Sequence, residues 1–231
     1  MLDNFIVVDY YEGAGGEFMA NWLSAHFGHV LYDDAQTNPV YCQKWFNSHS
    51  LIKPDWNYNF ANYVQDFLIM CEQQNIKSLA VSYHLYKWPD HVKILSQVQA
   101  RFVKINSQGH EKQIRKDFDR KVLQRLLTKN DLPEVLFALK NQPQIHVDHC
   151  LNLLREGTLT WGDLRPRPQF CCLQPLPSQD IEIFYNDFFV DFGKTQHAYL
   201  ALCDKLHLLP RFDLLDALIE RNKKNLAQQN L

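Results

Sequence analysis

The first 28 residues constrain the fold more than any other stretch. Phe5 to Tyr10 (FIVVDY) is a short run of β-branched, apolar and aromatic residues, which predicts a buried strand. A glycine-rich turn follows at once, Glu12-Gly13-Ala14-Gly15-Gly16. Beyond it Phe18, Met19, Trp22, Leu23 and His26 recur at three-and-four spacing, the signature of a helix with one buried face, and Gly28 supplies its stop. A strand that turns on glycines directly into a helix lets backbone N–H groups approach an anion, with the helix N-terminus adding partial positive charge.

The rest of the chain repeats the alternation. Residues 60–75 read as an amphipathic helix, and 78–84 (SLAVSYH) as a second buried strand. Pro89 starts a helix running to about Gln99, and 101–106 (RFVKIN) reads as a third strand. Residues 110–127 and 131–155 carry helical patterns, and 181–185 (IEIFY) a fourth strand. Two helices close the chain, over 193–207 and 211–228. Two stretches without clear period, 29–59 and the proline-rich 157–178, are expected to be long loop excursions. Strands separated by helices predict an α/β fold: a parallel sheet of about four to five strands with helices on both faces, in a single domain over 1–231.

Composition narrows the function classes. The net charge is −2, so there is no global basic excess to attract nucleic acid or an anionic membrane. The apolar runs fall far short of a membrane span. The opening Met1-Leu2-Asp3-Asn4 lacks the basic start and apolar stretch of a signal peptide, so a cytoplasmic protein is expected. Cys42, Cys71, Cys150, Cys171, Cys172 and Cys203 contain no CxxC pair, and they are expected as free thiols. No cluster with zinc-ligand spacing occurs; His146, Asp148 and His149 are expected on a solvated helix face.

Three constellations could carry chemistry. The turn at 12–18 is neither GxxxxGK[ST] nor GxGxxG, so alone it could be a packing turn as readily as a phosphate cradle. Glu17 would repel a phosphate, or face the helix dipole as a helix-start carboxylate. His84 falls at the C-terminal end of the second strand, where open α/β sheets bind their ligands. An imidazole there could take a proton from a substrate hydroxyl, or be one more hydrogen-bonded histidine beneath a loop. The third is Tyr185-Asn186-Asp187-Phe188, which leads from the fourth strand into a helix.

Taken in order, these pieces resemble the sulfotransferase family, P-loop-type α/β three-layer proteins that move a sulfuryl group from 3′-phosphoadenosine 5′-phosphosulfate (PAPS) to an acceptor. Glu12-Gly13-Ala14-Gly15-Gly16-Glu17-Phe18-Met19 occupies the place of that family's P-K-S-G-T-T-W-L loop, with Gly15 and the aromatic Phe18 matching. Tyr83-His84-Leu85-Tyr86 with Pro89 is similar to T-H-L-P, and Tyr185-Asn186-Asp187-Phe188 to Y-E-D-L. Asp204-Lys205-Leu206-His207-Leu208 looks like the F-L-G-L helix end. The resemblance implies PAPS as co-substrate, no metal, a small-molecule or glycan acceptor, and His84 as general base. It implies donor contacts from Gly13, Ala14, Gly15, Gly16, Glu17 and Phe18, with Asn106 at the position of the arginine that meets the 3′-phosphate.

The loop lysine and that arginine are replaced here by Gly13 and Asn106, so the missing positive charge has to come from elsewhere. Arg115 is the first candidate, beside Lys87, Lys104, Lys112, Arg165 and Arg167. Two other readings stay open: an interaction protein that kept the fold without the chemistry, and a transferase using another phosphorylated nucleotide. For the former, the aromatic segment 41–60 would be a partner or glycan surface, or else core.

Overall fold

A computed structural model of the chain describes residues 2–10, 14–28, 59–85, 90–110, 112, 114, 143–156, 158–160, 163 and 181–229. The excursion at 29–58, the aromatic segment up to Tyr58 and most of 157–178 lie outside these residues. The chain divides into two compact units, Met1–Gln108 with Gln174–Leu231, and Gly109–Leu173.

The first unit is α/β, with a parallel sheet of four strands flanked by helices. The strands are β1 (Asn4–Asp9), β2 (Ser78–Tyr83), β3 (Arg101–Asn106) and β4 (Ile181–Phe184), in the order β2-β1-β3-β4. The winding reverses after β2, which lies on one side of β1 while β3 and β4 lie on the other. Beside β1 the carboxyl ends of the strands therefore form a topological switch point, where ligand crevices open in sheets of this kind. β1 is central and buried along Phe5–Asp9, and the continuous apolar run FIVV reflects cover on both faces.

Strand alternation divides the core. Phe5 and Val7, Leu79, Val81 and Tyr83, and Phe102 share one face. They pack against Tyr63, Val64, Phe67 and Cys71 of α2 (Phe60–Gln73) and against Val92 and Leu95 of α3 (His91–Gln97). Asn59 caps α2: its side chain accepts from the amides of Ala61 and Asn62 at 3.0 and 3.4 Å. The opposite layer holds α1 (Gly16–His26), α6 (Phe192–Leu206) and α7 (Phe212–Gln229). Trp22 of α1 is fully buried; its indole donates to the carbonyl of Leu214 on α7 at 2.9 Å and meets Tyr199 of α6 edge-on at 5.2 Å.

The outer edge of β2 is closed by a side chain. Ser24 Oγ donates to the carbonyl of Ala80 at 3.0 Å and accepts from its amide at 2.9 Å, so the end of α1 satisfies backbone that an edge strand would leave open. β4 runs without a loop into the short helix α5 (Tyr185–Phe189), so Tyr185 begins a helix instead of ending a strand.

In the second unit the main described element is α4 (Gln144–Arg155). His146 is half-buried with Nε2 at 3.6 Å from the Cys150 thiol, while Asp148 and His149 are exposed. Among the described residues no group of His, Cys, Asp or Glu side chains could hold a metal ion, and no helix is long and apolar enough to cross a membrane. Cys71, Cys150 and Cys203 are free thiols; burial pushes that of Cys71 up to about 12.

Two histidines make the stability of the first unit sensitive to mild acid. His26 is held below the usual imidazole range first by burial, with the Trp22 carbonyl opposing and Arg211 adding to the depression. Burial likewise lowers His91, whose Nδ1 lies 2.7 Å from the Tyr83 hydroxyl and whose ring stacks on Phe60 at 3.7 Å. A depressed pKa means that the unfolded chain takes up protons first as pH falls below 6.5, so the stabilisation is complete above that value and is lost toward the folded pKa. The urea midpoint is therefore expected to fall between about pH 7.5 and pH 6, before carboxylates titrate, and to fall less in His26→Gln. A midpoint that stays level or rises over that range contradicts this assignment.

Candidate functional site

The site is built where β1 runs out. Gly15 takes a left-handed conformation (φ 76°) that L side chains avoid, and it caps α1 with no side-chain hydrogen bond. An added Cβ there would lie 3.1 Å from the ring of Phe189. At Gly16 it would lie 2.0 Å from Tyr10 Cγ, so the aromatic residue that ends the β1 run rests directly on the turn backbone. Gly16 is dictated by close approach and Gly15 by its positive φ, whatever else the turn does. Ala14 and Phe18 are buried, and Glu17 is exposed in the first turn of α1, as a helix-start carboxylate would be. Gly13 lies outside the described residues.

His84 stands one residue past β2. Its Nδ1 lies 3.0 Å from the carbonyl of Tyr10, and its ring lies 4.5 Å from that of Tyr10 at a tilt of 41°. The neighbouring amide of Leu85 donates to the buried carboxylate of Asp9 at 2.9 Å. Two hydrogen bonds thus tie the end of β2 to the end of β1 beyond the last ladder pair, Asp9↔Tyr83. A carbonyl only accepts, so in the neutral ring Nδ1 carries the proton and Nε2 the lone pair.

A feature not found from the sequence is Arg221 of α7. Its guanidinium lies 3.5 Å over the ring of Phe18, which meets Phe189 edge-on at 6.5 Å. A cation from the far end of the chain therefore stands at the first turn of α1. No local pattern could reveal it, because the pairing depends on how α7 crosses α1.

Other expected residues are placed differently. Asn106 is at the end of β3, but strand alternation puts it on the α2–α3 face, away from α1. Its carboxamide donates to Glu182 at 3.0 Å and accepts from the amide of Gln108 at 2.9 Å, a strand-end turn. Lys104 shares that face, in register with Asp9 on one side and Glu182 on the other, and its Nζ lies 4.0 Å from the Glu182 carboxylate. Lys112 is exposed in the second unit; Lys87, Arg115, Arg165 and Arg167 lie outside the described residues. A cleft of about 260 Å³ bordered by Leu2, Leu68, Glu72 and Lys77 lies at the opposite, N-terminal ends of the strands and brings none of these groups together.

No protein-family model, no curated protein and no solved structure matches the chain. What it does has to be argued from these residues.

Proposed function

We propose that the chain is a sulfotransferase-like transferase in which the turn Gly13–Phe18 binds the anionic end of a phosphorylated nucleotide and His84 acts as general base. The observation that carries this reading is the meeting of three parts at one strand end: a turn stripped of side chains at Gly15 and Gly16, an imidazole whose lone pair is on Nε2, and the Arg221 guanidinium over Phe18. With PAPS as donor, the acceptor oxygen attacks sulfur as Nε2 takes its proton. The bond from sulfur to the phosphate oxygen breaks, and adenosine 3′,5′-bisphosphate leaves. Backbone amides of the turn and Arg221 stabilise the charge that gathers on the leaving phosphate. Arg221 then does the work for which the loop has no lysine.

Isothermal titration of the purified chain with adenosine 3′,5′-bisphosphate tests the reading. Binding in the micromolar range is expected, weakened on the order of tenfold to a hundredfold in Arg221→Gln through loss of a charge-assisted contact. Circular dichroism checks that the variant folds. Stronger binding of an adenosine diphosphate would keep the transferase and change the donor.

A second reading has its own observation. The Asn106 carboxamide is engaged with Glu182 and Gln108, and an exposed Glu17 stands at the turn. Both suit a protein that kept the fold as an interaction scaffold. Absence of nucleotide binding at millimolar ligand would decide for it.

A further inference from the structure

We propose that Tyr10 is the positioning residue of this site: it holds His84 as the Nδ1–H tautomer and couples the imidazole to the backbone of the glycine turn. The proposal rests on His84 being the base of the reaction proposed above, and it adds how that base is oriented and how it senses the turn.

Tyr10 is 4% exposed and touches both parts. One side of its ring lies against Gly16 so closely that a Cβ there would sit 2.0, 2.1 and 2.5 Å from Cγ, Cδ1 and Cδ2. These are the atoms at the root of the ring, so rotation about the ring axis cannot relieve the overlap. The ring also packs on the His84 imidazole at 4.5 Å, and the Tyr10 carbonyl faces Nδ1 at 3.0 Å. Asp9, one residue earlier, anchors Leu85, one residue after His84. The segment 9–10 therefore grips 84–85 at two successive points while its ring bears on the turn. In a close-packed interior a displacement of Gly16 has to move the ring, and the ring cannot move without disturbing the imidazole. Filling the turn with an anion would thus register at the base, so that the donor sets the orientation of His84 before the acceptor arrives.

Long-range ¹H–¹⁵N correlation NMR on the ¹⁵N-labelled full chain reports which ring nitrogen carries the proton. The His84 signal is identified among ten histidines as the one missing from His84→Gln. Wild type and Tyr10→Phe, which keep the ring and the carbonyl, are expected to show the Nδ1–H pattern. Tyr10→Leu removes the aromatic contact and is expected to give a mixture of tautomers. Gly16→Ala is expected to displace the same signal through Tyr10. An Nε2–H pattern in wild type, or an unchanged His84 signal in Tyr10→Leu, overturns the proposal. Should Gly16→Ala fail to fold, the comparison of Tyr10→Phe with Tyr10→Leu decides alone. The measurement uses no nucleotide, so failure of the titration above removes the transferase reading without deciding this one, and the reverse holds.

Discussion

Trp22→Ala is expected to cost about 3–5 kcal/mol, a large part of the roughly 5–15 kcal/mol that holds a domain of this kind together. The indole is fully buried where α1 meets both α6 and α7. Truncation removes the largest fully buried side chain of the described core and leaves a cavity at a three-helix junction. It also removes the indole donor that lies 2.9 Å from the Leu214 carbonyl, a hydrogen bond worth about 0.5–1.5 kcal/mol, while that carbonyl, in the first turn of α7, still accepts within the helix. The edge contacts to Tyr199 at 5.2 Å and His26 at 4.9 Å go with it. Trp22→Phe separates the contributions: it keeps most of the apolar volume and loses the hydrogen bond, so it should cost about 1–2 kcal/mol. Urea unfolding of the three proteins measures both differences. A loss below about 1 kcal/mol in Trp22→Ala would mean that α7 does not depend on α1 for its position, and the placement of Arg221 over Phe18 would lose its support.

The strands and helices around Trp22 were legible because their signal is local. FIVV, SLAV and RFV bury both or one face in short unbroken runs, and the observed strands lie within a residue of the expected bounds. The helix at 60 starts on a capping asparagine, and the glycine turn forces the entry into α1. The site was legible in part for the same reason. A histidine just past a strand lands at a sheet end by construction, and Gly15 and Gly16 announce a close approach. What they approach was not legible. Tyr10 and Phe189 fill that space, and they are respectively the last residue of the β1 run and the end of a short helix much later in the chain. Register hid the rest. Whether Asn106 faces the turn or the opposite layer depends on the pairing Asp9↔Lys104, which single-strand periodicity cannot supply. Once that register is set, Lys104 and Asn106 share the α2–α3 face with Glu182 as their partner. The cation that stands over Phe18 at the first turn of α1 is Arg221, a residue with no local pattern.

His84→Ala is expected to lower transfer by about 10²–10⁴-fold once an acceptor is in hand, the usual contribution of a positioned general base. Two features make the loss specific to chemistry. The imidazole is only half-buried, and its hydrogen bond to the Tyr10 carbonyl is worth about 0.5–1.5 kcal/mol, so the fold should survive. In the proposed site the nucleotide is held by the turn and Arg221 and the imidazole is coupled to the turn only through Tyr10, so the titration with adenosine 3′,5′-bisphosphate should weaken far less than the rate falls. The expected signature is therefore a fall in kcat at nearly constant donor affinity, with part of the rate restored by added imidazole. Equal losses of rate and donor affinity would say instead that His84 is a structural prop for the turn, acting through Tyr10. Unchanged turnover would remove it from the mechanism, because no other histidine among the described residues reaches the Tyr10 carbonyl at the end of β1. The three outcomes separate a base, a brace and a bystander, and only the first requires the Nε2 lone pair that the Tyr10 carbonyl leaves in place.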